Sequence, residues 1–230
     1  MKRITLVTAV VVLALSHPLR ADFVQTFNTG FANGGVIPDG SLTGWSDTET
    51  LSGAPASPIT DLSVTLNLSG GWNGDLYAYL VHGSGFAVLL NRVGSSAGNN
   101  AGYGDAGMNV VFSDAAPVNI HSYGGGGVPT GSYAPDGRNI SPLSGGGAIA
   151  ATTPTALLSS FNGLNAASGS WTLFLADVSA GDVSTVTSWA LDIASVPEPR
   201  SVIEGTLAAL FMGGLIAVYR FKHVFGLRPS

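Results

Sequence analysis

The sequence has no cysteine, which excludes disulfides and thiolate metal sites and leaves the fold to apolar burial and hydrogen bonding. Positive charge is nearly missing from its centre. Of the 9 Lys and Arg, Lys2, Arg3, Arg20, Arg200, Arg220, Lys222 and Arg228 lie toward the ends, so residues 22–195 keep only Arg92 and Arg138. Against these two stand twelve of the 14 Asp and Glu, a net charge of −10. Such a surface repels phosphates and anionic lipid, which argues against nucleic acid as partner and suits a bound cation or a neutral ligand. Histidine is scarce as well. His82 and His121 are the only two in this part, 39 positions apart, and with no thiolate they make no zinc donor set.

What is abundant is glycine, 32 residues, together with Ser, Thr and Asn. This composition suits tight turns and a hydrated neutral surface, and fits an extracellular β protein better than a cytosolic enzyme. Long apolar runs are confined to the ends. Met1-Lys2-Arg3 is basic and Ile4 to Leu15 is uncharged, the layout of a secretory signal peptide. Twelve helical residues reach about 18 Å, short of the roughly 30 Å hydrocarbon core. Residues 1–21 are therefore predicted to be a signal peptide, cut after Ala21.

At the other end, Val202 to Phe221 gives twenty residues, apolar from Gly205 to Tyr219, with Glu204 near one interface. This length predicts a transmembrane helix, and Arg220, Lys222 and Arg228 behind it form a basic cytoplasmic stop. A buried or interfacial helix is the alternative. Val196-Pro197-Glu198-Pro199 precedes the span, and two prolines one residue apart deny it a helix or central strand. The chain thus divides into a signal peptide (1–21), one domain (22–195) and a tail (196–230).

In their order, Pro197-Glu198-Pro199, the apolar span and the basic end resemble the PEP-CTERM sorting signal of Gram-negative bacteria. The resemblance implies export, membrane anchoring with the domain outside the cytoplasm, and recognition of Pro197, Glu198 and Pro199 by an exosortase-type enzyme. That enzyme processes such proteins for the cell surface or an exopolysaccharide matrix.

Within 22–195 the main structural signal is period-2 alternation. Leu62, Val64, Leu66 and Leu68 alternate with Asp61, Ser63, Thr65 and Asn67, as a half-buried strand requires. Asn73-Gly74-Asp75 is a turn signal before a strand over Leu76 to Val81, so the two strands are expected to pair as a meander. Phe86 to Asn91, Met108 to Ser113, Trp171 to Leu175 and Ser188 to Ile193 are further strands, and Thr155 to Phe161 is the one short helix expected. Ala115 to Thr155, rich in Gly, Pro and Ser, is too long for a plain connection and is expected to lie partly ordered over a sheet. Many short strands with Gly, Asn and Asp punctuation indicate an all-β antiparallel sandwich or jelly roll.

Ile37-Pro38-Asp39, the strand Leu62 to Leu68, Gly74 to Leu80, and Gly169-Ser170-Trp171-Thr172-Leu173 with Asp177, Gly181-Asp182 and Ser188 to Leu191 resemble the P domain of subtilisin-like proprotein convertases. The resemblance implies a jelly-roll β-sandwich similar to galactose-binding-like folds. In proteases that domain accompanies a catalytic one, so a hydrolase accessory domain is one reading of the function.

Candidate chemistry is sparse. Gly94-Ser95-Ser96-Ala97-Gly98 matches the nucleophile pattern G-x-S-x-G, but a catalytic elbow needs a helix after the serine and a loop follows here. A non-enzyme is expected. Asp75, Asp105, Asp177 and Asp182 lie on or beside Gly-containing turns and are candidate calcium ligands; the competing reading is that they shape those turns by local hydrogen bonds. Trp72 and Tyr103, in turn-rich sequence, are candidate stacking faces for carbohydrate, whereas Trp171 and Trp189 read as core. The function expected is a non-catalytic surface or matrix protein, with a carbohydrate-binding module for extracellular polysaccharide as the alternative.

Overall fold

The computed structural model describes residues 21–196 together with Phe211 and Met212. Nine strands run in the order β1 (Ala21–Phe27), β2 (Ser41–Glu49), β3 (Ile59–Gly70), β4 (Leu76–His82), β5 (Gly85–Asn91), β6 (Met108–Phe112), β7 (Thr130–Tyr133), β8 (Trp171–Asp177) and β9 (Ser184–Ser195), with one α-helix, α1 (Gly146–Ala151). One sheet has the order β1-β9-β3-β6-β7 and the other β2-β8-β4-β5. All pairings are antiparallel except β6 with β7. The protein is an all-β sandwich of two sheets.

Alternation explains why two sheets form. Leu62, Val64, Leu66 and Leu68 of β3 are all buried, as are Leu76, Ala78 and Leu80 of β4. Each strand gives one apolar face to a common core, completed by Trp171, Leu173 and Leu175 of β8 and Trp189, Leu191 and Ile193 of β9. Trp171 and Trp189 are fully buried, and their indole N–H groups donate to Ala166 O (3.1 Å) and Asp47 Oδ2 (2.7 Å). Burying a tryptophan with its one donor satisfied keeps the apolar gain without a desolvation cost.

The expected meander is not formed. β3 pairs with β6 and β9, whereas β4 pairs with β5 and β8. The Asn73–Asp75 segment is a 3-10 turn that carries the chain from one sheet to the other. Alternation reports which face a strand buries, and both strands bury theirs from opposite sides of the core, so the pattern is the same whether they pair or stack. The helix is also elsewhere. Leu158–Phe161 is only a 3-10 turn, its first N–H groups held by Asp114 (Leu158 N to Oδ1 3.1 Å, Ser159 N to Oδ2 2.7 Å). α1 forms instead in Gly146–Ala151, where a Cβ on Gly146 would stand 2.6 Å from Ser96 O. Glycine allows that backbone contact, and Asn100 Oδ1 accepts from Gly146 N (2.6 Å).

The long Ala115 to Thr155 connection is ordered and pinned. It contributes β7 and α1 and buries Ile120, His121, Asp136 and Ile149. Asp136 N and Gly137 N donate to Leu89 O and Val88 O of β5. The expected span from Val202 to Phe221 lies outside the described residues except for Phe211 and Met212, which are helical and exposed. Among the described residues no helix is long and apolar enough to cross a membrane.

The register fixes where the two ends of the domain emerge. Ala21 pairs with Ser195, and β3 begins beside them, Ile59 opposite Ser195. At the other end of the same strands Gly70 is opposite Ser184. Twelve residues of β9 separate the two ends, roughly 35 to 40 Å at strand rise.

Candidate functional site

The end at Gly70 and Ser184 gathers acidic side chains from distant parts of the sequence. Asp75 closes the 3-10 turn that opens β4, and Asp177 is the last residue of β8, opposite Leu76 on one side and Ser41 on the other. Val178 N donates to Asp75 O (2.8 Å), locking the two strand ends together. Asp39 joins from the turn before β2, where its carboxylate accepts from Gly181 N (3.0 and 3.2 Å), and Asp182 follows that glycine. Gly74 lets the Ala101–Tyr103 loop pack against this turn, since a Cβ there would stand 2.3 Å from Ala101 O.

Between these elements lies a pocket of about 140 Å³, lined by Trp72, Asp75, Ala101, Ser179 and Asp182 among others. Trp72 is 44% exposed. The carboxylates are graded in depth: Asp39 and Asp182 are exposed, Asp75 is nearly buried and Asp177 is fully buried. Asp177 Oδ1 accepts from Ser179 N (3.1 Å), but its Oδ2 has no partner. Burial, together with the negative charges of Asp75, Asp39 and Asp182, pushes the Asp177 carboxyl up to about 6. Asp75 is raised too, first by burial and then by Asp182 and Asp39, against the opposing pull of Arg92 and a hydrogen bond with Ser179.

The structure therefore places Trp72, Asp75 and Asp182 on one pocket, with Asp177 and Asp39 near it, but among the described residues no three acidic or histidine side chains are placed to hold a metal ion. Asp105 is engaged differently. Its carboxylate accepts from Tyr123 OH (2.7 Å), Gly126 N (2.9 Å) and Gly127 N (2.7 Å), which ties down the Gly124 to Gly127 loop and holds its pKa below the usual carboxylate range, the Tyr123 hydrogen bond being the largest cause. Tyr103 is half-buried; its ring lies against Gly94 and meets Tyr123 edge-on at 4.8 Å. Pro197, Glu198, Pro199, Arg220, Lys222 and Arg228 lie outside the described residues.

No serine triad is assembled among the described residues. Ser96 Oγ accepts from Asn99 N within its own turn (3.0 Å). His121 directs Nε2 at the backbone O of Ser95 (3.0 Å) and Nδ1 at Asp136 Oδ2 (2.8 Å), while Asp136 Oδ1 meets Arg138 (3.2 Å). This buried network fastens the long connection to the turn at Ser95 that follows β5. It was not legible in sequence, because His121, Asp136 and Arg138 form no spacing motif. Asp39 was legible only within Ile37-Pro38-Asp39, an element of the P-domain resemblance, with no role attached to its carboxylate.

No family model matches the chain, and no curated protein matches it. Among solved structures the chain is similar to the serine protease of Aeromonas sobria, in complex with the chaperone ORF2 (17% identity) and by itself (16%), with a TM-score of 0.44 for each. The match covers 78% of this chain but only 27% and 28% of those chains, so this chain spans about a quarter of their length.

Proposed function

We propose that this is an exported, non-catalytic protein of the cell surface or extracellular matrix, held by its C-terminal tail and processed there by an exosortase-type enzyme. The domain is a P-domain-like jelly roll serving interaction rather than chemistry. The observation that carries this reading is the pairing of β1 with β9, which sets Asp22, the first residue after the expected cut, opposite Ala194. The mature N-terminus and the start of the tail then leave from one end of the sandwich, while the Trp72 and Asp75 pocket opens at the other. A module tethered at Val196 thereby presents its pocket away from the membrane.

The test is to remove the tail from Pro197 to Ser230. The shortened protein is expected in the medium as a soluble exported species, and replacing Pro197, Glu198 and Pro199 with alanine is expected to leave an unprocessed membrane-bound form. Retention of the shortened protein in the cytoplasm would count against export, and normal processing of the alanine variant against the sorting motif. A second reading is favoured by the half-exposed Trp72 beside Asp75 and Asp182: an aromatic face flanked by hydrogen-bonding carboxylates suits a carbohydrate. A glycan array with Trp72→Ala as control separates the two. A hydrolase accessory role would instead show as co-purification with a protease.

A further inference from the structure

We propose that β1 is a self-association edge, pairing antiparallel with β1 of a second copy of this chain so that two five-stranded sheets join into one. The deciding observation is a difference among the four strands that end the two sheets. Edge strands present unpaired N–H and C=O groups and are normally blunted by a bulge, charge, shortness or a covering loop. β5 is covered, since Val88 N donates to Ala156 O while Asp136 N and Gly137 N donate to Leu89 O and Val88 O. β7 is only four residues long, and the bridge of Asn119 with Ala134 adjoins its end. β2 carries the bulge between Ser41 and Trp45 and ends on Asp47, Thr48 and Glu49. β1 is left without such a device. Its seven residues run in unbroken register with β9, contain no Lys, Arg or Pro, and carry charge only at Asp22 near the start. Among the described residues no other strand pairs with it.

The strand is complementary to itself. A two-fold axis perpendicular to the sheet at Val24, the middle of β1, sets Asp22 against Thr26, Phe23 against Gln25 and Val24 against its own copy. Outer faces then continue into outer faces, and Asp22 meets a neutral hydroxyl. Centring the pair on Asp22 would instead oppose two carboxylates, which is destabilising. Val24 is 62% exposed, and this register covers it with the second valine. Phe23 and Phe27 on the inner face are only partly buried, so apolar surface reaches the edge and an added strand buries more of it. Antiparallel pairing also turns the second copy end for end, and the two Val196 positions point opposite ways. On the anchoring reading, on which this consequence alone rests, copies side by side in one membrane cannot pair this way; the contact joins released copies or copies on facing surfaces. The charge of −10 on residues 22–195 of each copy opposes association, so salt, by screening it, should strengthen the pair.

The experiment uses the full chain in mild detergent. The chain has no cysteine, so Val24→Cys places a single thiol where the register sets it against itself, with Cα atoms about 4.5–5.5 Å apart and within disulfide range. Thr26→Cys, exposed on the same strand face, lies roughly 14 Å along the strand from its counterpart, out of reach. Mild oxidation and non-reducing electrophoresis are expected to give several-fold more covalent dimer from Val24→Cys than from Thr26→Cys. Sedimentation of the parent should show a concentration-dependent dimer that grows with added sodium chloride. Val24→Lys, which opposes two like charges at an exposed position, should remain monomeric and keep the parent's Tm. None of these readouts depends on tail processing, so their failure leaves the anchoring reading standing. A parent that stays monomeric at high protein and salt concentration, equal cross-linking of the two cysteine variants through tails sharing a micelle, or a Val24→Lys protein that still dimerises would overturn the proposal.

Discussion

The two ends of the sandwich differ in how completely their polar groups are satisfied. At the end where Ala21 meets Ser195, buried His82 stacks on Trp171 (4.0 Å between centroids, 2° between planes), and its two ring nitrogens face Ser170 O and Asn165 O. Phe161 and Ile59 fill the space around them. At the opposite end Asn73 Oδ1, Asp177 Oδ2 and Ser184 Oγ are buried without partners, beside carboxylates that repel one another. One end is built for stability. The other keeps buried polar atoms without partners next to an excess of negative charge.

The difference can be broken from the stable end first. Trp171→Ala removes the ring that packs on His82 and Phe161, and is expected to cost about 3–5 kcal/mol, measured by denaturant unfolding. The second effect has the opposite sign. Asp177→Asn relieves a buried charge, so the metal-free protein at neutral pH should gain about 1–3 kcal/mol. The pH profile gives the same sign independently. Because the folded carboxyl is raised to about 6 while the unfolded one titrates near 4, the folded state binds more protons between those values. Stability should therefore fall as pH rises from about 4 to about 6 and then level off. In Asp177→Asn that slope should shrink to what the remaining raised carboxyls, Asp75 chief among them, contribute. The smallest effect belongs to Trp72→Ala: the side chain is 44% exposed, and its loss should change stability by about 0.5 kcal/mol or less. Any larger consequence should appear in ligand binding alone.

Much of the fold was legible because alternation is a local property. The strands around Leu62, Leu76, Phe86, Met108, Trp171 and Trp189 all stand where the pattern puts them. β2 escaped because only Trp45 of its nine residues is buried and a bulge between Ser41 and Trp45 breaks the period. β1 escaped because Gln25 stands on the same face as Phe23 and Phe27. The pairing of β3 with β9 rather than β4 is a long-range choice that no local spacing encodes. The pocket was half legible: Asp75, Asp177 and Asp182 sit on recognisable turns, but their convergence with Asp39 depends on a contact 142 positions apart. Asp105 has the same kind of turn sequence and a different fate, decided by Tyr123 and the amides of Gly126 and Gly127.

The two ends of the domain lie together, Asp22 opposite Ala194, and the proposed function has a processed tail display it from there. Its most direct test is the intact mass of the surface-exposed protein isolated from an exosortase-bearing host. The expected species begins at or next to Asp22 and ends near Pro197 to Pro199, without the span and its basic end. A mass that retains Ser230 would contradict it and leave the tail as a plain membrane anchor.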